Sequence, residues 1–447
     1  FDQVLDYRKQ YGDVFIWQIG TREVVFLCDP QIIRRAFTNP LLSDRPSGFF
    51  TFDSWSNFKK SGIVNNNGLS WQAHRRFALR NLRDSGFGTS LVENIVCMEA
   101  ECLIKDFKDN FLLTPTEIPS AVNVAALNVI WKLVADIRFE REDEDLQSFH
   151  DSLTSIVSKI QGFLNFFDVY PMLAQYTPKF IMDKMGFAEL QSLREDVKKY
   201  LRSIVARRKA TLNKENPNGL IDSYLLEMDN NSNDQDFDEE NLIILLGDLF
   251  FAGSDTTAST LRWLIQLMAL NPEIQKKVQV EIDSVVPRDR LPSLADKPKL
   301  PFTDATLHES LRMAHLAPLG VFHGAREDTT IEQYFIPGTV IVSFLYACHM
   351  DTKYWDKPNT FNPAHFLDSK GNFTANTDFF MPFSTGRRSC LGESLARTEL
   401  FLFGTSLIQN FSFEMSADIK NSTLEKGDGT VLFVIPPKHK IIIKERK

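Results

Sequence analysis

Near the end of the 447-residue chain lies Phe383-Ser384-Thr385-Gly386-Arg387-Arg388-Ser389-Cys390-Leu391-Gly392, followed by a helical run from Glu393. Gly386 and Gly392 let the loop turn tightly. A cysteine just before a helix N-terminus is biased toward thiolate, Arg388 adds positive charge beside it, and a thiolate so held binds a soft metal centre. A lone cysteine is more often an inert buried thiol.

The spacing F-x-x-G-x-R-x-C-x-G decides between these readings, because every defined position is matched. It resembles the haem-binding loop of the cytochrome P-450 family. That resemblance implies haem b (iron protoporphyrin IX) as cofactor and Cys390 as its axial iron ligand, a thiolate whose electron density favours cleavage of the O–O bond. Phe383, Gly386 and Gly392 shape the loop, and Arg388 meets a haem propionate.

Three further motifs follow the family's order. Glu309-Ser310-Leu311-Arg312 matches E-x-x-R, whose i,i+3 spacing sets carboxylate and guanidinium on one helical face. The third member of that trio falls on His365, within Phe361-Asn362-Pro363-Ala364-His365-Phe366, where many members carry Arg. His makes this partner titratable. The trio is expected to maintain the fold around the haem.

Ala252-Gly253-Ser254-Asp255-Thr256-Thr257 matches the oxygen-activation motif. Cleaving dioxygen consumes two protons, so a hydroxyl at Thr256 backed by a carboxylate at Asp255 serves the reaction. Gly253 is expected to let oxygen and substrate approach the backbone, and Thr257 to bond back to a helix carbonyl. Trp71-Gln72-Ala73-His74-Arg75 matches W-x-x-x-R, whose ends approach one propionate, and His323 falls where the animal microsomal branch contacts the other.

These motifs need elements to carry them. Alternation around Gly20-Thr21 in residues 14–28 predicts a hairpin. Apolar periodicity predicts helices near 31–38, 68–83, 89–110, 120–137, 145–164, 188–212, 238–270 and 303–313, and strands are expected around 332–346 and 429–443. The fold class is mainly α with small β-sheets. The resemblance implies the cytochrome P-450 fold over 1–447 as one catalytic domain, with the haem between a long central helix and the C-terminal cysteine loop.

The central helix, begun by acids and ended at Asn271-Pro272, would reach about 50 Å. Asp248, Asp255 and Arg262 interrupt its apolar run, which argues for a buried helix with polar work inside it. The polar run 228–240 reads as a linker.

The net charge of −8 gives no overall attraction to nucleic acid. Five cysteines without a CxxC pair argue against a disulfide framework. No C-x-x-C-H marks a c-type haem, and His308-Glu309 fails as a zinc motif because Arg312 replaces its second His. Gly86-Phe87-Gly88 lacks the third glycine of a dinucleotide fingerprint, so electrons must come from another protein.

By resemblance that protein is an NADPH-dependent flavoprotein reductase, with cytochrome b5 as a second candidate, and the exposed side of Arg76, Arg80 and Arg83 is its expected landing face. The resemblance also implies the cytosolic face of the endoplasmic reticulum membrane, through an N-terminal anchor helix that would precede Phe1. Residues 162–171 are expected at a channel roof touching the membrane.

Phe49, Phe50, Phe163, Phe251, Ala252, Val321 and Phe322 are candidate pocket residues for a lipophile: a steroid, fatty acid or xenobiotic. The leading activity is monooxygenation. A haem-thiolate isomerase or dehydratase acting on peroxides, and a haem gas sensor, are the alternatives. The Asp255-Thr256 pair counts against both.

Overall fold

A computed structural model describes the chain except residues 85–89, 141–142, 161–163, 231–235, 376–377, 417–427 and 430–432. The predicted helix at 89–110 and the roof segment therefore each begin partly outside the described residues, as do Phe163 and the Gly86-Phe87-Gly88 run.

Helix α1 (Asp2–Tyr11) precedes the hairpin β1 (Val14–Ile19) and β2 (Arg22–Leu27), paired antiparallel with Ile19 opposite Arg22. Asp29 caps α2 (Pro30–Thr38) by accepting from the amides of Gln31 and Ile32 at 2.8 and 3.1 Å. The short α3 (Phe50–Asp53) leads to α4 (Gly68–Asp84), α5 (Ser90–Asn110), α6 (Ala121–Ala135) and α7 (Glu144–Ile160). Three short helices, α8 (Asn165–Val169), α9 (Pro171–Tyr176) and α10 (Lys179–Lys184), join these to α11 (Phe187–Ala210) and α12 (Gly219–Asn230).

The longest element is α13 (Glu239–Leu270), started by Asp238, whose carboxylate accepts from the Asn241 amide at 2.7 Å. It is long and apolar enough to cross a membrane, but most of it is buried inside the protein, which makes it a core helix. Helices α14 (Pro272–Val285) and α15 (Pro301–Ala314) follow, then β3 (His323–Gly324), β4 (Thr329–Ile331), β5 (Tyr334–Ile336), β6 (Val340–Ser343) and α16 (Leu345–Met350). The chain ends with α17 (Glu393–Asn410), β7 (Phe411–Met415), β8 (Asp428–Gly429), β9 (Val434–Ile435) and β10 (Ile441–Glu445).

The main sheet has the order β1-β2-β6-β3, with β6 parallel to β2 and antiparallel to β3. Helix therefore dominates and the sheets stay small, as the periodicity implies. The differences are local. The linker reading begins too early, since α12 runs to Asn230, and α14 escapes the pattern. The strand expected over 332–346 breaks at Gly338 and turns helical at Leu345.

A buried carboxylate and a close glycine contact fix α13 in place. Asp248 accepts from the amides of Ile63 and Val64 at 2.7 and 2.9 Å, tying the loop before α4 to the core helix; burial pushes its carboxyl up to about 6. Gly253 has a different duty from the one expected. A β-carbon there would lie 2.7 Å from Ile130 Cδ1, so the glycine admits α6 to close packing on α13.

Candidate active site

The cysteine loop is a tight, hydrogen-bonded turn: the Cys390 amide donates to the Phe383 carbonyl at 3.0 Å, and Ser384 and Gly386 have φ of 60° and 76°. At Gly386 a β-carbon would lie 2.3 Å from the Phe37 carbonyl oxygen, so only glycine lets the loop rest on the end of α2. Arg397 lies over the Phe383 ring at 4.9 Å. The Cys390 sulfur points toward the start of α17. Burial raises its pKa, and the amides of Gly392 and Glu393 with Arg75 pull it down without prevailing. A metal cation bound at this sulfur would favour the thiolate.

The positive charge that bears on this thiol is Arg75, not Arg388 as the sequence suggested. Arg75 Nη2 donates to the Ser389 carbonyl at 2.7 Å. Arg388 turns the other way, donating to the carbonyls of Ser43, Ile63 and Asn66 and to Asn67 Oδ1, with its guanidinium 3.7 Å from the Trp71 ring centroid. Spacing on α4 explains the pairing, because Trp71 and Arg75 are one turn apart on one face.

Arg45, which the sequence reading missed, joins this group. It is buried, and it donates to the carbonyls of Val64, Val321 and Phe322 at 2.9, 3.1 and 2.8 Å. Among the described residues no carboxylate hydrogen-bonds Arg45, Arg75 or Arg388. Burial, then the neighbouring Arg75, lowers Arg45 to about 9; burial, then Arg45, lowers Arg388 to about 8. His323 sits beside them, buried and stacked on Phe37 at 3.7 Å, with Nδ1 donating to the Leu42 carbonyl at 2.8 Å. Burial, then Arg45, holds it well below the usual histidine range.

This cluster is what an acidic porphyrin edge requires: concentrated, desolvated positive charge that Asp44 offsets only at a distance, with no carboxylate hydrogen-bonded to it among the described residues. Trp71 Nε1 adds an unused buried donor. The residues present therefore fit the carboxylate edge of a haem. No signal short of the family pattern marks Arg45, since it lies in a loop without periodicity.

The trio at α15 is fully satisfied instead. Arg312 Nε and Nη2 donate to Glu309 Oε2 and Oε1 at 2.8 and 2.6 Å, and both side chains are completely buried. Its remaining donors reach the carbonyls of His349 and Pro358, both at 2.8 Å. His365 Nδ1 lies 3.1 Å from Glu309 Oε1 and Nε2 lies 2.6 Å from the Asp356 carbonyl. His365 thus bridges Glu309 and the Asp356 carbonyl through its two ring nitrogens.

On α13 the structure rearranges the expected roles. Thr256 Oγ1 donates to the Ala252 carbonyl at 2.6 Å, whereas Thr257, expected to bond back, donates to Glu399 Oε2 of α17 at 2.9 Å. Asp255 is not hydrogen-bonded to Thr256; its Oδ1 accepts from Asn123 of α6 at 3.2 Å and lies 4.0 Å from His150 Nδ1. Ala252 is exposed midway along this buried helix, so a small side chain there borders an opening.

Of the pocket candidates, Phe49 packs on Phe322 at 5.7 Å, and Phe251 lies 6.2 Å from Phe433. Val321 is exposed. The Phe50 ring is instead taken up by Phe58, Phe167 and Phe187 at 5.6, 5.2 and 5.1 Å, bracing α3 against α8 and α11.

The cytochrome P450 family model matches residues 1–443. This chain belongs to the cytochrome P450 family. It is 42% identical to cytochrome P450 2L1 of Panulirus argus over 450 residues, covering 100% of this chain and 91% of that protein. It is 35% identical to cytochrome P450 2B2 of Rattus norvegicus (99% and 89% covered) and 36% identical to cytochrome P450 2B4 of Oryctolagus cuniculus (98% and 88%). The chain is accordingly a haem-dependent P450 monooxygenase of the animal family 2 type, and the earlier isomerase and sensor readings fall away.

Proposed function

We propose that this monooxygenase inserts one oxygen atom into a lipophile (a steroid, fatty acid or xenobiotic), with Cys390 as axial ligand of its haem and Arg45, Arg75, Arg388, Trp71 and His323 around the propionates. The observation that carries the assignment is the arginine cluster beside the Cys390 loop, to which no carboxylate is hydrogen-bonded among the described residues. Haem, when bound, supplies the activation of dioxygen. Every other task falls to side chains of this chain.

Arg388 and Arg45 are held by a scaffold of backbone carbonyls, which fixes their orientation in advance, and would neutralise the carboxylates of a bound haem. His323 is neutral without an anion, and a propionate facing Nε2 would favour its second proton. Thr256 Oγ1, while donating to the Ala252 carbonyl, keeps its lone pairs free to hold a water at the oxygen side of α13. Asp255 borders the polar cluster of Asn123, His150 and Arg262 and can take protons from that side. The second proton-transfer partner is thus reached by rotation of Asp255, not by a standing bond to Thr256.

Electrons are proposed to come from NADPH through a separate reductase, docking on the exposed Arg76, Arg80 and Arg83 of α4, with cytochrome b5 as a second donor. Phe166, Met172, Tyr176 and Phe180 are exposed on α8 to α10 and support contact of this edge with the endoplasmic reticulum membrane.

Thr256→Ala should keep the haem spectrum while sending reduced oxygen to hydrogen peroxide, because the held water is lost. An unchanged ratio of product to NADPH would refute the role of Thr256.

A further inference from the structure

Helix α13 carries five hydroxyls within two turns, on Ser254, Thr256, Thr257, Ser259 and Thr260. Ser254, Thr256 and Thr260 each donate to the carbonyl four residues back, at 2.7, 2.6 and 2.8 Å. Thr257 instead leaves the helix, donating to Glu399 Oε2 at 2.9 Å. This is the one side-chain hydrogen bond between α13 and α17 among the described residues. Glu399 is 1% exposed, and its Oε1 has no partner.

Thr257 does not need this acid, since its three neighbours show that back-bonding satisfies a hydroxyl on this helix. Burying a carboxyl with one donor is costly, and a valine–leucine pair would fill the same space without that cost. Burial pushes Glu399 up to about 8, opposed only by the Thr257 bond, so it is a neutral acid near pH 7 and needs no counter-ion. Its position has a direct consequence. Glu399 lies in the second turn of the helix that starts three residues after Cys390, while Thr257 follows Thr256.

We propose that Glu399 is a positioning residue: through Thr257 it locks the Thr256 turn of α13 in register with the Cys390 loop at the head of α17, and so sets how efficiently protons reach the reacting oxygen. The proposal rests on the reading of Thr256 given above. Loosening the lock shifts Thr256 relative to the thiolate side and diverts reduced oxygen to peroxide, while the haem ligand and the fold persist. Both the acceptor and the donor of this bond are therefore coupling residues that touch neither substrate nor cofactor.

The test compares Glu399→Leu, Glu399→Gln, Thr257→Val and Thr256→Ala in the haem-loaded protein, reduced by NADPH and a flavoprotein reductase. The readout is hydrogen peroxide formed per NADPH oxidised, with testosterone as added lipophile and again with none, beside the thermal midpoint and the carbon monoxide spectrum. Glu399→Leu and Thr257→Val should raise the peroxide ratio several-fold with the spectrum retained, and Glu399→Gln, which keeps an acceptor for Thr257, should stay within about twofold of the parent. If Glu399→Leu does not fold, the isosteric Thr257→Val carries the test.

A raised ratio in Thr256→Ala with parental ratios in Glu399→Leu and Thr257→Val would overturn the lock and leave the Thr256 reading standing. A parental ratio in Thr256→Ala would overturn both. A lowered thermal midpoint without a change in the peroxide ratio would reduce Glu399 to a packing role and also overturn the proposal.

Discussion

Two buried arginine clusters flank the cysteine loop, and they are built on opposite principles. At α15, Glu309 and Arg312 pair opposite charges, His365 adds a ring-nitrogen contact to Glu309, and carbonyls satisfy the remaining donors. Beside α4, Arg45, Arg75 and Arg388 have carbonyl partners only, and Trp71 Nε1 has none. A balanced cluster is complete by itself and can only hold the fold. An unbalanced one is paid for elsewhere in the fold and is completed by an anion, which makes it a binding site.

That contrast can be broken most forcefully at Arg312. Arg312→Leu strands the buried Glu309 carboxylate and should cost on the order of 3–5 kcal/mol. The expected outcome, read by soluble yield and urea unfolding, is loss of folded protein whether or not haem is supplied. Arg388→Gln should behave differently. Removing one charge-assisted contact of about 1.5–3 kcal/mol predicts roughly ten- to hundredfold faster loss of haem to an apo-globin acceptor. The haem-free chain should unfold no more easily than the parent, because an unpaired buried charge has gone.

Glu399 extends the contrast to an unpaired acid, with a defined sign. Its pKa of about 8 in the fold lies above the ordinary glutamate value of 4.5, so its stabilising contribution is full below pH 4.5 and is lost as pH rises through 8. Glu399→Gln should flatten the fall in unfolding free energy across that window by about 1 kcal/mol per pH unit, measured by urea titrations at several pH values. The smallest effect is expected at the balanced trio's third member. His365→Arg keeps a donor facing Glu309 and should change stability by less than about 1 kcal/mol, whereas His365→Ala should cost about 1.5–3 kcal/mol.

The sequence makes one kind of feature legible and hides another. Cys390, Glu309, Arg312 and Trp71 sit in spacings that fix which face or turn they occupy, and α13 announces itself by length, caps and apolar periodicity. Helix α14 is lost because Gln275 and Gln279, which bond the carbonyls of Phe413 and Phe411, put polar side chains on its buried face. What spacing cannot show is where a side chain points once helices cross. Thr256 and Thr257 are adjacent and chemically identical, and only the approach of α17 decides that the second leaves its helix. Arg388 is legible as a residue near the thiol, but its turn toward Asn66 depends on a loop more than three hundred residues away in sequence. Glu399 did leave a signal, an acid opening the apolar run Leu400 to Phe403, which is unusual for a residue seldom buried without a partner.

The central claim is that Cys390 ligates the haem, and the carbon monoxide spectrum of the reduced protein tests it most directly. The parent chain should show the far-red Soret band of a thiolate ligand, and Cys390→Ser should bind haem but lose that band. A Cys390→Ser protein that kept the band unchanged would place the ligand on another residue and contradict the account.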